Sequence, residues 1–444
     1  MKTYLDISDA IAADIAAGRL RPGERLPPQR IFADQRKIAA STASRVYAEL
    51  VRRGLVSGEV GRGTYVRTLP APGSLSFAEP SWQPVDLELN FPWLPTQNDA
   101  LSKGIAQLLR PDMLEHALRP SAAAATAGAR EMTARFLARG EWMPDPSTLL
   151  FAGSGRQAIA AILSTLARAG GRVAVEALTY PWIKGIAARL GIDLVAIALD
   201  DFGMRIDALK RAHRSTPFSA VYVQPALHNP LGVSMSHERR RELAAFLQST
   251  GIFAIEDAVY SFLIDQEPLA ALAPDKTILV DSLSKRLAPG LTLGFIVAPA
   301  QIRERVAAAM RSGGWSAQGF ALNAALQWIS DGTATNIAKG KRLDAAARQH
   351  LARRIFSGLN VQGDPRAYHL WLELPDGLRA ERFATAAARR GIAITPGEAF
   401  AVEPGRSPNA VRIALGAPPL EILAESLATL RGLLTSSTGD PSLE

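Results

Sequence analysis

Between residues 150 and 300, short apolar runs alternate with amphipathic stretches, and this alternation restricts the fold of the chain more than any other feature. Strand-like runs occur at 172–176, 193–197, 220–224, 252–256, 277–281 and 294–298, and helical patterns fill several of the gaps. Repeated strand–helix–strand units predict an α/β domain with a mostly parallel sheet and helices on both faces. Ligand-binding residues are then expected at the carboxyl ends of the strands.

Polar side chains follow three of these predicted strands. Asn229 follows 220–224, Asp257 and Tyr260 follow 252–256, and Lys285 follows 277–281. Asn229 and Asp257 are 28 residues apart, as are Asp257 and Lys285, and each interval suits one helix-and-strand crossover. The three strand ends are therefore expected to present an amide, a carboxylate and an amine to one crevice.

Lys285 carries the most specific chemistry of the set. A lysine at the end of a buried strand can be desolvated, which lowers the pKa of its amine and makes it nucleophilic toward aldehydes. The hydroxyls of Ser282 and Ser284 beside it could hold a phosphate. An aldehyde joined to a phosphate suggests pyridoxal 5'-phosphate (PLP). The alternative is an ordinary surface lysine after a buried strand, so the interpretation depends on the other residues.

The remaining strand-end residues suit the ring of PLP. A carboxylate such as Asp257 would keep the pyridine nitrogen protonated, which makes the ring withdraw electrons from a substrate carbon. Asn229 and Tyr260 would donate to the phenolic oxygen. Tyr180, which follows the strand at 172–176, would stack on the ring.

Two further groups extend this pattern. Ser154, Gly155 and Arg156 open a predicted helix, and the free N–H groups of a helix start can hold a phosphate. Arg412 lies within a strand-like apolar run. A guanidinium there is costly unless it meets a carboxylate, and the carboxylate of a substrate would suit its bidentate geometry.

Each of these residues also has an ordinary structural explanation. Asp257 can cap a helix, Asn229 and Pro230 can form a turn, Tyr180 can belong to the core, and Arg412 can pair with a structural acid. Taken alone, each structural explanation is the more frequent one. The order and spacing of the residues around one lysine favour the functional interpretation.

The N-terminal end concentrates positive charge and has a pattern of its own. Residues 1–68 contain twelve Lys/Arg and seven Asp/Glu, so +5 of the net charge of +8 falls there. Isoleucines at 7, 11 and 15 predict a first helix, further helices are predicted at 28–35 and 41–53, and a glycine-rich hairpin is predicted at 54–66. This order predicts a winged helix-turn-helix, with a small helical dimerisation module as the alternative.

The charges favour DNA as the partner of this end. Ser41, Thr42 and Arg45 lie on the first turns of the predicted recognition helix, from which side chains reach base edges. Flanking arginines would contact DNA phosphates, and these are Arg25, Arg30 and Arg62.

Composition excludes several other classes of site. The chain has no cysteine, so disulfides, thiolate metal sites and cysteine nucleophiles are excluded, and its six histidines form no cluster with metal-ligand spacing. The first residues lack an apolar signal core, and no apolar run approaches the roughly 20 residues that span a bilayer. We therefore expect a cytoplasmic protein that neither enters a membrane nor binds a metal.

Residues 1–67 resemble the DNA-binding domain of the GntR family. The resemblance is carried by Gly18-Arg-Leu-Arg-Pro-Gly23, by Arg25-Leu-Pro, by the stretch from Ser41 to Leu50, and by Gly63-Thr-Tyr-Val66. It implies a domain that binds double-stranded DNA. Prolines at 70, 72, 80 and 84 then predict a semi-rigid linker over residues 68–85.

Residues 86–435 resemble the fold-type I PLP enzymes of the aspartate aminotransferase class. The motifs are Gly153-Ser-Gly-Arg-Gln-Ala158, His228-Asn-Pro-Leu-Gly232, Glu256-Asp-Ala-Val-Tyr260, Ser282-Leu-Ser-Lys285 and Arg412, in the family's order. The resemblance implies a PLP-binding large domain at 86–330, with Lys285 as the Schiff-base lysine. It also implies a small α+β subdomain at 331–444.

Two positions depart from the family pattern. Thr292 stands where the family usually has an arginine on the PLP phosphate, so Arg286 or Arg156 would have to compensate. The family often has a tyrosine shortly before the glycine that matches Gly128, and residues 121–127 offer none. These departures bear on PLP affinity more than on PLP attachment.

A GntR winged helix fused to this fold resembles the MocR subfamily of bacterial regulators. This resemblance implies a head-to-tail, domain-swapped homodimer in which PLP, alone or joined to an amino acid or amine at Lys285, controls DNA binding. Two alternatives stay open: an active aminotransferase with an accessory DNA-binding domain, and a scaffold that has lost PLP. The regulator is favoured because an enzyme has no chemical need for a basic DNA-reading domain.

Overall fold

The computed structural model describes residues 4–16, 19–20, 24–52, 55–59, 63–66 and 83–436. The chain divides into two compact units, residues 1–76 with 403–406, and residues 77–402 with 407–444. The predicted linker lies almost entirely outside the described residues, as do Arg62 and Gly18.

The first unit contains three helices and a three-stranded sheet. Its elements are α1 (Tyr4–Ala16), β1 (Arg25–Leu26), α2 (Gln29–Arg36), α3 (Ala40–Arg52), β2 (Val56–Glu59) and β3 (Gly63–Val66). The sheet is antiparallel with the order β1-β3-β2. Isoleucines 7, 11 and 15 are buried in one core with Phe32, Val46 and Leu50, as their helical spacing requires. The predicted helix–helix–helix–hairpin order is confirmed. Helix α3 begins at Ala40, so Ser41 and Thr42 lie in its first turn.

The second unit is larger and contains fourteen α-helices and fifteen strands among its described residues. The helices are α4 (Gln97–Leu108), α5 (Pro111–Leu118), α6 (Ala127–Leu137), α7 (Gly155–Leu166), α8 (Pro181–Leu190), α9 (Ile206–Ser215), α10 (His237–Thr250), α11 (Leu269–Leu272), α12 (Leu283–Arg286), α13 (Ala300–Ser312), α14 (Gly319–Ser330), α15 (Thr333–Ile355), α16 (Ala380–Arg389) and α17 (Leu420–Ser436). The strands are β4 (Val85–Asp86), β5 (Leu149–Ala152), β6 (Arg172–Glu176), β7 (Asp193–Ile197), β8 (Leu199–Asp200), β9 (Gly203–Met204), β10 (Ala220–Val223), β11 (Phe253–Asp257), β12 (Thr277–Ser282), β13 (Gly294–Val297), β14 (Val361–Gln362), β15 (His369–Glu373), β16 (Ile392–Ala393), β17 (Thr395–Pro396) and β18 (Ala410–Ala414).

A seven-stranded sheet with the order β5-β13-β12-β11-β10-β6-β7 forms the centre of this unit. Strand β13 pairs antiparallel with both β12 and β5, and the other neighbouring pairs are parallel. All six predicted strands are present, and the predicted mostly parallel sheet is confirmed. Strand β5 and the antiparallel direction of β13 were not predicted from the sequence.

Helices cover both faces of this sheet, so its central strands are buried on both sides. Within β12, Ile278 and Val280 belong to one apolar cluster and Leu279 belongs to another, since successive side chains point to opposite faces. The first cluster includes Ile162 of α7, and the second includes Trp328 of α14. The carboxyl ends of β10, β11 and β12 therefore open between two covering layers.

A second, four-stranded sheet with the order β14-β15-β18-β17 forms the C-terminal part, together with α16 and α17. All of its pairs are antiparallel, which confirms the predicted α+β subdomain. Strand β4, near the start of the unit, pairs with β16, so the segment that follows the predicted linker is anchored there. Among the described helices, none combines the length and the apolar character that crossing a bilayer requires.

Candidate functional site

The polar residues predicted at the strand ends line one cleft. The cleft contains about 660 Å³ of empty space, part of it open to solvent. Its lining residues are Phe91, Ser154, Gly155, Arg156, Ile159, Tyr180, Gln224, Asn229, Asp257, Val259, Tyr260, Ser282, Ser284, Lys285, Pro289 and Thr292. The structure thus brings together all the predicted cofactor residues except Arg286.

Lys285 reaches the cleft because β12 ends at Ser282 and the one-turn helix α12 begins there. Its Nζ atom donates to the main-chain carbonyl of Asn90 at 2.7 Å and lies 3.7 Å from the centre of the Phe91 ring. Burial holds the pKa of this amine well below its ordinary value, and the positive charge of Arg412 lowers it further. A depressed pKa increases the fraction of the amine that is unprotonated, which is the nucleophilic form of Lys285.

Asp257 lies at the end of β11, beside Lys285 in the cleft. Its carboxylate accepts hydrogen bonds from the Tyr222 hydroxyl at 2.6 Å and from the Gln224 amide at 3.3 Å, and both donors come from the neighbouring strand β10 and its end. Burial raises the pKa of Asp257 to about 6, although the bond from Tyr222 lowers it. A buried carboxylate aimed into a cleft suits a positively charged partner on a ligand.

The shifted pKa of Asp257 predicts a pH dependence of stability. The folded pKa of about 6 lies above the ordinary value of 3.8, so the folded state binds the proton more tightly. The unfolding free energy of the cofactor-free chain should therefore fall as pH rises from 4 to 6 and then level off. The total fall from this group should be about 3 kcal/mol.

The measurement is urea denaturation of the parent chain and of Asp257→Asn at pH 4.5 and pH 7.5. The unfolding free energy of the parent relative to Asp257→Asn should decrease at the higher pH. The pairing of the two proteins cancels the other titrating groups. If the difference in unfolding free energy between the two proteins stayed constant or increased with pH, burial would not raise the pKa of Asp257 as described.

Arg412 approaches the cleft from β18 of the C-terminal sheet without lining it. Its guanidinium donates to the Asn229 side-chain oxygen at 3.3 Å, to the Thr395 hydroxyl at 3.0 Å and to the main-chain carbonyl of Glu88. The side chain is buried, and its Nε atom is without a hydrogen-bond partner among the described residues. These bonds hold the guanidinium next to Asn229, at the edge of the cleft.

Tyr260 and Tyr180 are the two aromatic residues predicted for the site, and both line the cleft. The Tyr260 hydroxyl accepts a bond from the Asn90 side chain at 3.1 Å, and burial raises the pKa of Tyr260 to about 12. Burial raises the pKa of Tyr180 as well. Both phenols therefore stay protonated at neutral pH, so each retains a hydrogen to donate.

One end of the cleft combines hydroxyl groups with the start of a helix. Ser154 caps α7 by accepting a bond from the Gln157 N–H at 3.1 Å. The earlier N–H groups of α7 have no partner within the helix and suit an anion. Gly294 allows strand β13 to pack closely against the start of α7, because a Cβ atom at position 294 would lie only 2.6 Å from the Ser154 carbonyl.

Arg286 does not reach the cleft, contrary to the expected cofactor contact. Its guanidinium pairs with Asp281 at 2.5 Å and lies over the ring of Phe136. Asp281 also pairs with Arg139 at 2.6 Å, and all three side chains are buried. Arg286 therefore belongs to an internal ion-pair network behind the site.

The sequence analysis missed several residues that shape the site. Tyr222 and Gln224 alternate along one predicted strand, and this spacing could have indicated that both point toward Asp257. Asn90 and Phe91 lie in an irregular segment after β4 and carry no comparable signal. Their contacts with Lys285 depend on packing between distant parts of the chain.

The predicted DNA-binding residues lie in the first unit. Ser41 and Arg45 are exposed on α3, and Thr42 between them is half-buried. Arg25 on β1 and Arg30 on α2 are also exposed. Arg62 lies outside the described residues.

Comparisons with known proteins match both units. Residues 3–66 match the description "Bacterial regulatory proteins, gntR family", and residues 122–427 match "Aminotransferase class I and II". The chain is 30% identical over 441 residues to the uncharacterized HTH-type transcriptional regulator YdeF of Bacillus subtilis (strain 168), with 98% of this chain and 95% of YdeF covered.

Two further similarities extend this result. The vitamin B6 salvage pathway transcriptional repressor PtsJ of Salmonella typhimurium is 25% identical over 405 residues, covering 90% of this chain and 92% of PtsJ. An archaeal alanine:glyoxylate aminotransferase has the same fold, with a TM-score of 0.73 and 22% identity over 79% of this chain and 90% of that enzyme.

Proposed function

Because the chain belongs to the MocR subfamily of GntR-type transcriptional regulators, with a gntR domain before an aminotransferase class I and II domain, we propose that PLP bound at Lys285 controls its binding to DNA. The observation that carries the proposal is the buried amine of Lys285 in one cleft with Asp257. PtsJ, whose name refers to vitamin B6 salvage, supports a ligand of the vitamin B6 class.

The cleft residues fit PLP in their chemistry. Asp257 suits a protonated pyridine nitrogen, and the donors of Asn229 and Tyr260 suit the phenolic oxygen. The face of Tyr180 suits the ring. The start of α7 and the serine hydroxyls suit the phosphate. When bound, PLP supplies an electrophilic aldehyde and an electron-withdrawing ring, and Lys285 supplies the amine that attaches to it.

Arg412 suits the carboxylate of an amino acid at the edge of the same cleft. Its guanidinium is held next to Asn229 by bonds to neutral acceptors, so its charge is available to an incoming anion. We infer that the ligand of the regulator includes an amino acid or amine together with PLP. The chemical identity of this amino acid or amine decides when the protein binds DNA.

The proposed assembly is a homodimer of the head-to-tail, domain-swapped kind, acting in the cytoplasm, where its DNA is. A two-fold dimer would place two α3 helices on two half-sites of an operator. PLP at Lys285 would then act by favouring one arrangement of the two reading domains over another.

The test is DNA affinity, measured by fluorescence anisotropy with and without PLP on the region upstream of the chain's own gene. We expect PLP to change the dissociation constant on this fragment and to have little effect on a scrambled fragment of equal length. The same dissociation constant with and without PLP, or equal affinities for both fragments, would reject the proposal.

Two arginine variants test which residues read DNA. Arg45→Ala should relax sequence preference by about 1–3 kcal/mol, because Arg45 lies where a recognition helix contacts base edges. Arg25→Ala should weaken binding to both fragments alike and reduce the slope of log affinity against log salt by about 1. Anisotropy over a salt series with both fragments measures both effects. A uniform loss of affinity in Arg45→Ala, or a loss of sequence preference in Arg25→Ala, would contradict the assignment.

A second function is favoured by one observation: the cleft combines Lys285 and Asp257 with Arg412 at its edge, and these residues suit transamination. The chain would then be an aminotransferase with an accessory DNA-binding domain. Multiple turnovers with an amino acid and a keto acid, together with DNA affinity that ignores PLP, would support it over the regulator.

A further inference from the structure

The end of the cleft that suits a phosphate is rich in hydroxyl groups that already contact one another. The Ser282 and Ser284 hydroxyl oxygens are 2.9 Å apart, and the Ser284 and Thr292 hydroxyl oxygens are 2.5 Å apart. Ser282 also accepts a bond from the Ser284 N–H at 3.1 Å. These three side chains form a neutral cluster whose hydroxyl groups are hydrogen-bonded to one another. Some of these internal hydrogen bonds are lost when the hydroxyl groups donate to an anion.

Cationic side chains are sparse at this end. Of the cleft residues in the part of the chain that the structure describes, Arg156 is the only arginine. It is exposed, and its guanidinium lies 4.1 Å from the centre of the Trp182 ring. Arg286, the nearest candidate along the chain from the serines, pairs with the buried Asp281 and does not line the cleft.

We propose that Thr292, which brings a hydroxyl and no charge, limits the phosphate's contribution to recognition to about that of one arginine, so that the site also binds unphosphorylated vitamin B6 aldehydes. The inference rests on the proposed function, because it concerns the same cleft and the same lysine. It adds the ligand class: what the site selects is the aldehyde and the pyridine ring, through Lys285 and Asp257. The phosphate contributes through hydroxyls, the start of α7 and one arginine.

The magnitude follows from the number of charged contacts. One charge-assisted hydrogen bond changes affinity by roughly ten- to a hundredfold, whereas a neutral one changes it by less than about tenfold. The hydroxyl cluster must give up internal bonds to contact a phosphate, so the net gain should come mainly from Arg156, and PLP should bind about a hundredfold more tightly than its unphosphorylated analogue or less. A second arginine at position 292 should add another factor of roughly ten to a hundred.

The experiment titrates the full-length protein with PLP and with 5'-deoxypyridoxal and follows the visible absorption of the lysine-bound aldehyde. 5'-Deoxypyridoxal keeps the aldehyde and the ring, lacks the phosphate, and cannot close an internal hemiacetal as pyridoxal does. The variants are Thr292→Arg, Thr292→Val and Arg156→Gln. The first adds a cation, the second removes only the hydroxyl, and the third removes the one arginine.

Thr292→Arg should increase the preference for PLP over 5'-deoxypyridoxal, and Thr292→Val should reduce it by less than about tenfold. Arg156→Gln should bring the two affinities close together. A preference clearly above about a hundredfold in the parent, or an unchanged preference in Thr292→Arg and Arg156→Gln, would overturn the inference. Both outcomes leave the proposed function standing, whereas a parent that binds neither aldehyde at Lys285 rejects the proposed function itself.

Discussion

Replacing Lys285 by alanine is expected to abolish the visible absorption of lysine-bound PLP and to remove the effect of PLP on DNA affinity. Among the described residues that line the cleft, Lys285 is the only lysine. Burial holds the pKa of its amine well below the ordinary value, which favours the unprotonated, nucleophilic form. PLP could still bind through other contacts, but without covalent attachment its absorption would be that of the free aldehyde.

The matched control is Lys184→Ala. Burial lowers the pKa of Lys184 to about 8, yet its amine donates to the carbonyls of Ala399 and Ala401 and does not line the cleft. This variant should retain both the absorption and the DNA response. Covalent attachment in Lys285→Ala, or its loss in Lys184→Ala alone, would show that a different lysine carries the ligand.

Replacing Asp281 by alanine is expected to lower the unfolding free energy by about 3–5 kcal/mol. The carboxylate pairs with Arg139 and Arg286, and all three side chains are buried. Its removal leaves two buried guanidinium groups without their acid, and the cost of an uncompensated buried charge is large. Urea denaturation of the cofactor-free protein measures the change.

Asp207 offers a matched comparison at the surface. It also pairs with two arginines, Arg205 and Arg211, but these side chains are exposed. Solvent screens such pairs, so Asp207→Ala should have little effect on stability. Similar losses from the two substitutions would mean that burial is not what makes the Asp281 network stabilising.

The sequence predicted most of the large sheet because its strands are short apolar runs between helical patterns. The carboxyl ends of β10, β11 and β12 were placed correctly, and with them Asn229, Asp257 and Lys285. Strand β5, Leu149–Ala152, was not predicted, although β10 and β13 are equally short and were. The direction of β13 was also beyond the sequence, since an apolar run does not reveal which way it enters a sheet.

Side-chain partners were harder to predict than strand positions. Arg286 was assigned to the cofactor as a possible replacement for the arginine that Thr292 lacks, but its side chain points away from that of Lys285, since adjacent residues of a helix point in different directions. Its acid, Asp281, is on the preceding strand and looks in sequence like part of an apolar run. The roles of Asn90 and Phe91 could not be predicted for a different reason. Their contacts with Lys285 join segments almost 200 residues apart in the chain.

The hydrogen bond from Lys285 to the Asn90 carbonyl has a consequence for the path of the chain. Asn90 is four residues after β4, the first described strand beyond the predicted linker. A nitrogen that forms a double bond to carbon keeps one hydrogen at most, whereas a free amine has at least two. The donor available to the Asn90 carbonyl therefore changes with the chemical state of Lys285, so a main-chain group of the segment that follows the predicted linker is coupled to that state.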